Sequence, residues 1–349
     1  MPSTEELKAT AQAMVAPGKG LLAADESFGT ANKRFQKLGI PQTEEMRRAY
    51  REMLFTTPGI DQYFSGVILF DETIRQTTTD GQPFAQVLYE AGMIPGIKLD
   101  AGTKPLAHSA GELITEGLDG LRDRIDEYYS LGARFAKWRA VITIGPDIPS
   151  TLCIEANADA LARYAALCQA GGLVPIVEPE VLMDGDHTID RSLEVHHTVL
   201  HAVFERLYLY KIKLDQMILK PSMVIAGMDC PDQPTVEEVA RQTVACLRDR
   251  VPAAVPGCAF LSGGQSDTQA TTHLNAMNNL FRNQLPWTLT FSYGRALQQA
   301  AMQTWMGQLN NVTAAQKVLL HRAYMNSLAT LGQYHPELET EAGVAIPSV

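Results

Sequence analysis

The sequence predicts an α/β fold: a single (β/α)8 barrel, the TIM-barrel arrangement, with extra helices at both termini. Eight short apolar runs recur through the 349-residue chain, most of them rich in Val, Ile, Leu or Ala and each too short for a core helix. Longer helical patterns separate most of these runs, and buried strands alternating with helices build a parallel sheet. Eight is also the strand number that closes a barrel. An open doubly wound sheet would normally carry a Gly-rich dinucleotide turn after its first strand. Here that turn reads Asp25-Glu26-Ser27-Phe28-Gly29-Thr30.

The elements follow in order. Ser3-Thr4-Glu5-Glu6 fits a capping box and opens a helix reaching residue 16. The first strand is 20–25. A helix over 43–55 opens on Thr-Glu-Glu, and strands 66–71 and 94–100 follow it. The helix over 118–131 places Leu121, Ile125 and Tyr128 on one face and stops at Gly132. Strand 133–142 leads to an Ala-rich helix over 155–170, halted by Gly171-Gly172. Strand 173–180 precedes a long amphipathic helix over 191–214. Strand 217–223 precedes a helix over 235–249 with a second capping box, Thr235-Val236-Glu237-Glu238. Strand 254–264, a helix over 265–283 and strand 287–294 complete the set, and helices over 296–309 and 314–332 close the chain. No Pro/Gly/Ser-rich linker divides it. Residues 1–333 are expected to be one catalytic domain and 334–349 a flexible tail.

Composition removes several function classes. Hydrophobic residues make up 46% of the chain and charged residues 19%, enough apolar material for a large core. A net charge of −10 disfavours nucleic acid or an anionic membrane as partner. No apolar run approaches the ~18 residues of a membrane span. The N-terminus carries Glu5, Glu6 and Lys8 and lacks the continuous apolar stretch of a signal peptide. Five scattered cysteines without a CxxC pair suggest a reducing compartment, hence the cytoplasm.

The informative signal is charge at the ends of the apolar runs. Side chains alternate across a strand. Asp25 ends the first run; Lys98 and Asp100 share a face; Lys137 and Arg139 share one opposite Trp138. Glu178 and Glu180 lie on the face of Ile176, and Lys220 stands alone among apolar neighbours. One such charge is explained by a structural ion pair. The same pattern at strand after strand points to the C-terminal mouth of a barrel, where that fold keeps its active site. Ser262-Gly263-Gly264 ends the seventh strand and opens a helix, and Arg295 follows the eighth. Free backbone N–H groups, a helix N-terminus and a guanidinium fork together suit a phosphate. The paired glycines alone would be no more than a turn.

Three lysines exceed what one phosphate needs. A lysine that has lost its proton attacks a ketone to form a Schiff base, and the protonated imine is an electron sink for cleaving the adjacent C–C bond. Glu178, Glu180 and Asp25 are candidates for the proton transfers. Metal chemistry is the competitor. His187, His196, His197 and His201 cluster in sequence, but on a helix rather than at a strand end, and no HExxH occurs. No metal and no cofactor are expected.

The sequence resembles class I fructose-bisphosphate aldolase, the metal-free Schiff-base family, over essentially its whole length. The matching motifs are Leu22-Ala23-Ala24-Asp25-Glu26-Ser27, Ala136-Lys137-Trp138-Arg139, Val177-Glu178-Pro179-Glu180, Leu219-Lys220-Pro221, the Leu261–Ser266 run and Ser292-Tyr293-Gly294-Arg295-Ala296-Leu297. The resemblance implies that Lys220 forms the Schiff base and that Glu178 is the acid/base for carbinolamine formation and dehydration. It implies that Asp25 acts near the C4 hydroxyl, that Lys137 assists beside the imine, and that Glu180 supports the lysine pair. Ser262, Gly263, Gly264 and Arg295 would hold the C1 phosphate. Ser27, Arg34, Lys98 and Arg139 would serve the other phosphate or the open-chain sugar. The implied substrate is a small sugar bisphosphate and the implied assembly a homo-oligomer.

Two departures from the family pattern stand out. Phe28 replaces the Thr that usually follows Asp-Glu-Ser, which alters the loop near one phosphate unless the ring faces outward. The chain ends in Ala345-Ile346-Pro347-Ser348-Val349, whereas animal members end in a tyrosine that assists enamine protonation; the nearest tyrosine here is Tyr334. Another group or water is expected to protonate the enamine. Fructose 1-phosphate or sedoheptulose 1,7-bisphosphate would use the same lysine. A non-catalytic scaffold would have no chemical need for Lys220, Glu178 and Asp25.

Overall fold

The structure, a computed structural model, describes residues 4–339. Among the described residues ten strands form: β1 (Gly20–Ala23), β2 (Phe64–Leu69), β3 (Ile94–Lys98), β4 (Thr103–Pro105), β5 (Leu113–Thr115), β6 (Phe135–Ile142), β7 (Val174–Val181), β8 (Ile218–Leu219), β9 (Gly257–Phe260) and β10 (Thr288–Tyr293). Eight close into a barrel in the order β1-β10-β9-β8-β7-β6-β3-β2, every pair parallel. Each of the eight apolar runs overlaps one barrel strand. β4 and β5 form a separate antiparallel hairpin inserted between β3 and β6.

Alternation along the strands sorts the core into two layers. Leu22, Ile97, Ala136, Trp138, Val177 and Leu219 face outward into a large cluster shared with the helices. Leu21, Ile68, Phe135, Ile176, Ile218 and Ala259 face inward and pack with Leu7, Ala11 and Met14 of the N-terminal helix Thr4–Met14. That helix plugs the end where the strands begin: the Ser65 hydroxyl donates to the Met14 carbonyl at 2.6 Å, and Val15 crowds Gly257. The opposite mouth is left open. Within the floor, a Cβ on Gly96 would sit 2.3 Å from the Phe135 ring, so only glycine admits that ring at this level.

Helix starts follow their caps. Thr43 accepts from the Met46 N–H, Thr235 from Glu238 and Ser150 from Cys153. Ser150 starts its helix at Thr151, four residues before the expected start at 155. The helix expected over 191–214 runs Ile189–Leu209 and stops because Lys211 turns left-handed at φ 58°. Helices Phe28–Lys37, Asp71–Ile74 and Phe84–Glu90 and the β4–β5 hairpin were not expected. Residues 334–339, expected within a flexible tail, are docked on the body. Tyr334 is buried and donates to Glu339 at 3.1 Å, and Glu339 also accepts from Arg322 at 2.5 Å. Ser3 of the first capping box and residues 340–349 lie outside the described residues.

Candidate active site

Strand register brings the charges together. Lys98 on β3 lies level with Lys137 on β6, and Arg139 lies level with Glu178 on β7. The Lys220 N–H donates to the Val177 carbonyl at 2.8 Å, which seats the lysine beside β7 just past the end of β8. A cavity of about 1120 Å³ opens there, and all thirteen site residues expected from the sequence line it: Lys220, Glu178, Asp25, Lys137 and Glu180 with Ser262, Gly263, Gly264, Arg295, Arg139, Lys98, Ser27 and Arg34.

At its base sits a buried quartet of two lysines and two carboxylates. Glu178 bridges both lysines: its Oε1 is 3.2 Å from Lys220 Nζ and its Oε2 is 3.4 Å from Lys137 Nζ. Lys137 Nζ is also 2.7 Å from Asp25 Oδ2. The formal charges cancel, which tempers the cost of removing four ions from water. Burial alone would raise the Asp25 carboxyl, but the ammonium groups of Lys137 and Lys220 outweigh it and hold the carboxyl at about 2. Burial pulls Lys137 down, and the carboxylates of Asp25 and Glu178 overcome it and push the ammonium well above its ordinary value. Lys137 is therefore a fixed cation and Asp25 a fixed anion at neutral pH. Trp138 points the other way and packs on Tyr164 at 5.5 Å.

The resemblance implies that Glu180 supports the lysine pair; in the structure its carboxylate forms an ion pair with Arg139. Arg139 and Glu180 each lie two residues beyond Lys137 and Glu178 on the same faces. The second ion pair therefore stacks above the first, toward solvent. Lys98 donates to both the carboxylate and the carbonyl of Asp100.

Two parts of the cavity suit anions. Gly263 and Gly264 adopt positive φ, 59° and 99°, and the Arg295 guanidinium would lie 3.3 Å from a Cβ on Gly264. The loop is braced from behind. Gln265 donates to the Ser262 carbonyl at 3.1 Å and its own carbonyl contacts the His273 ring at 2.6 Å. Elsewhere Arg34 is held by Glu26, yet its Nε and Nη2 are buried with no partner, two donors on a fork that suits a phosphate or carboxylate. Arg51 braces Glu26 at 2.7 Å from outside the barrel.

Sequence reasoning gave no role to Arg51, Gln265, His273 or Ser292, whose buried Oγ lines the cavity without a hydrogen-bond partner. The histidines at 187, 196, 197 and 201 lie on or beside helix Ile189–Leu209, outside the cavity lining. Among the described residues, no group of three or more His, Cys, Asp or Glu side chains is arranged to hold a metal ion. None of the described helices is long and apolar enough to cross a membrane. Tyr334 is buried away from the cavity and its hydroxyl is engaged by Glu339; residues 345–349 lie outside the described residues.

Comparisons with known proteins converge on one family. The model of the family "Fructose-bisphosphate aldolase class-I" matches residues 6–346. A probable fructose-bisphosphate aldolase class 1 of Xanthomonas campestris pv. campestris is 60% identical over 333 residues, covering 95% of this chain and 99% of that one. The cytosolic fructose-bisphosphate aldolase 4 of Arabidopsis thaliana is 52% identical, over 98% of this chain and 87% of its own length. The solved structure of the Plasmodium falciparum aldolase, in complex with TRAP and a small-molecule inhibitor, superposes with a TM-score of 0.94. It shares 47% identity over 96% of this chain and 97% of that one. A closed parallel barrel with a lysine–carboxylate quartet at its open mouth, a family model matching residues 6–346 and relatives at 47–60% identity place the chain in the class I fructose-bisphosphate aldolase family.

Proposed function

We propose that the cavity catalyses the reversible retro-aldol cleavage of fructose 1,6-bisphosphate to dihydroxyacetone phosphate and glyceraldehyde 3-phosphate, with Lys220 as the Schiff-base lysine. This is a lyase step of glycolysis and, in reverse, of gluconeogenesis. The observation that carries the assignment of roles is Glu178, one carboxylate within 3.4 Å of two buried ammonium groups.

Lys220 gives up its proton and attacks the C2 ketone of the open-chain sugar. Glu178 accepts that proton and returns one to the departing hydroxyl of the carbinolamine, which leaves as water. The resulting iminium draws electrons from the C3–C4 bond. Asp25, held ionised, accepts from the C4 hydroxyl as that bond breaks and the aldehyde departs. Lys137 stabilises the carboxylates on either side of it throughout. A proton then reaches C3 of the enamine from water or a cavity group, and hydrolysis frees the ketone product and Lys220. Ser262, Gly263, Gly264 and Arg295 anchor the C1 phosphate. Ser27, Arg34, Lys98 and Arg139 anchor the other end. Two anchors hold the scissile bond in register over the quartet.

Borohydride trapping tests the assignment. Reduction in the presence of dihydroxyacetone phosphate, followed by peptide mapping, is expected to place a stable adduct on Lys220. No adduct there, with activity abolished by EDTA, would overturn it. We also read the protein as cytoplasmic, like its Arabidopsis and spinach relatives, which are named cytosolic and cytoplasmic. We read it further as a homo-oligomer. Exposed Leu152, Tyr208 and Leu209 supply apolar surface for self-association, which light scattering would register.

A further inference from the structure

Phe28 is the first residue of helix Phe28–Lys37, and it is 46% exposed. It is not idle. Its ring meets Phe70 edge-to-face, with centroids 5.2 Å apart and planes at 85°. The Arg47 guanidinium lies 5.0 Å from the ring centroid. Arg47 is itself immobilised. It makes a two-pronged ion pair with Glu72 at 2.8 and 2.7 Å and donates to Asn32, on the same helix as Phe28, at 3.1 Å. One half-exposed ring thus ties the helix after β1 to the end of β2 and to the helix Glu44–Phe55.

The helix that Phe28 anchors carries part of the cavity wall. Ser27 caps it, and Thr30 and Arg34 reach the cavity from it. Ser27 makes no side-chain cap bond, so the start of this helix lacks the usual hydroxyl-to-backbone anchor. The stack of Phe28 on Phe70 under Arg47 takes its place. A guanidinium binds an anion bidentately only within a narrow range of position and angle.

We infer that Phe28 is a specificity-determining positioning residue. Its ring, clamped between Phe70 and Arg47, sets the helix whose Ser27 and Arg34 receive the phosphate remote from C1, and so sets the preference for a bisphosphate over a monophosphate. This rests on the assignment of Ser27 and Arg34 to that phosphate. The ring does not touch the reacting atoms, and Lys220, Glu178 and the Ser262–Gly264 loop stand on other strands.

The test uses the full-length enzyme with fructose 1,6-bisphosphate and fructose 1-phosphate, which lacks the second phosphate. Phe28→Ala, which removes the ring clamped by Phe70 and Arg47, is expected to raise KM for the bisphosphate about threefold to tenfold with kcat/KM for the monophosphate unchanged, and Phe28→Tyr to retain the native bisphosphate KM. A purely structural role would lower activity on both substrates together. Arg34→Ala serves as the reference. If Arg34→Ala narrows the preference and Phe28→Ala does not, the inference about Phe28 is wrong. If Arg34→Ala leaves the preference intact, the anchor assignment itself is wrong, and the inference fails with it.

Discussion

Replacing Lys137 by Met tests whether the quartet is held by mutual compensation of buried charge. Lys137 Nζ lies 2.7 Å from Asp25 Oδ2, and both side chains are largely withdrawn from water. At that separation and an effective dielectric of about 20, the attraction is about 6 kcal/mol. Met removes it and leaves Asp25 buried, and losing one partner of a buried pair costs about 3–5 kcal/mol. The pH dependence should change in sign as well as size. In the native protein Asp25 titrates near 2, below its ordinary 3.8. Its contribution to stability is therefore complete above about 4 and is lost as pH falls through 2. Without Lys137, burial is the largest influence on that carboxyl, and only Lys220 and Lys98 remain to oppose it. Its pKa then rises above the unfolded value, so stability is greatest at low pH and is lost as pH climbs. Urea unfolding midpoints measured from pH 4 to 7 report this directly. Lys137→Met should weaken with rising pH, and the double variant with Asp25→Asn should recover both stability and a flat profile. Parallel pH profiles for the native protein and Lys137→Met, or strictly additive effects in the double variant, would refute the reasoning.

Two further outcomes follow from packing and from the C-terminal clasp. Gly96→Ala should cost about 1–3 kcal/mol by forcing a methyl group into the Phe135 ring, and Phe135→Leu should relieve it; thermal midpoints decide. Burial raises the Glu339 carboxyl, but His321 and Arg322 outweigh it and hold it at about 2, so its support is present above about 4.5 and lost as pH falls through 2. Glu339→Gln should flatten the response between pH 2 and 4.5 and open residues 334–339 to proteolysis at neutral pH.

Barrel strands were legible because burial on both faces leaves nearly continuous apolar runs, and charges could be placed at their ends by alternation. Short polar helices were not. Phe28–Lys37 carries only Ala31 and Phe35 inward among Asn, Lys, Arg and Gln, too few apolar positions to show a period. The hairpin strands β4 and β5 are three residues each and have no barrel face to bury, so alternation had nothing to reveal. Glu180 looked equivalent to Glu178 because both share a face of β7, and that parity says nothing about depth. Its partner is Arg139 because both side chains leave the barrel one layer higher. Arg51 was hidden for a related reason, since its partner Glu26 comes from a loop 25 residues earlier.

The sequence by itself determined the barrel and the strand ends that carry the lysines and carboxylates, because alternation acts over a few residues. Only the tertiary structure decided which charges meet, since strand register and barrel closure bring together residues far apart in the chain. Glu178 between Lys137 and Lys220, Glu180 given over to Arg139, and Phe28 clamped between Phe70 and Arg47 are all contacts of that kind. Their strength depends on ångström distances in a water-poor cavity, a property of the assembled fold and of no single segment.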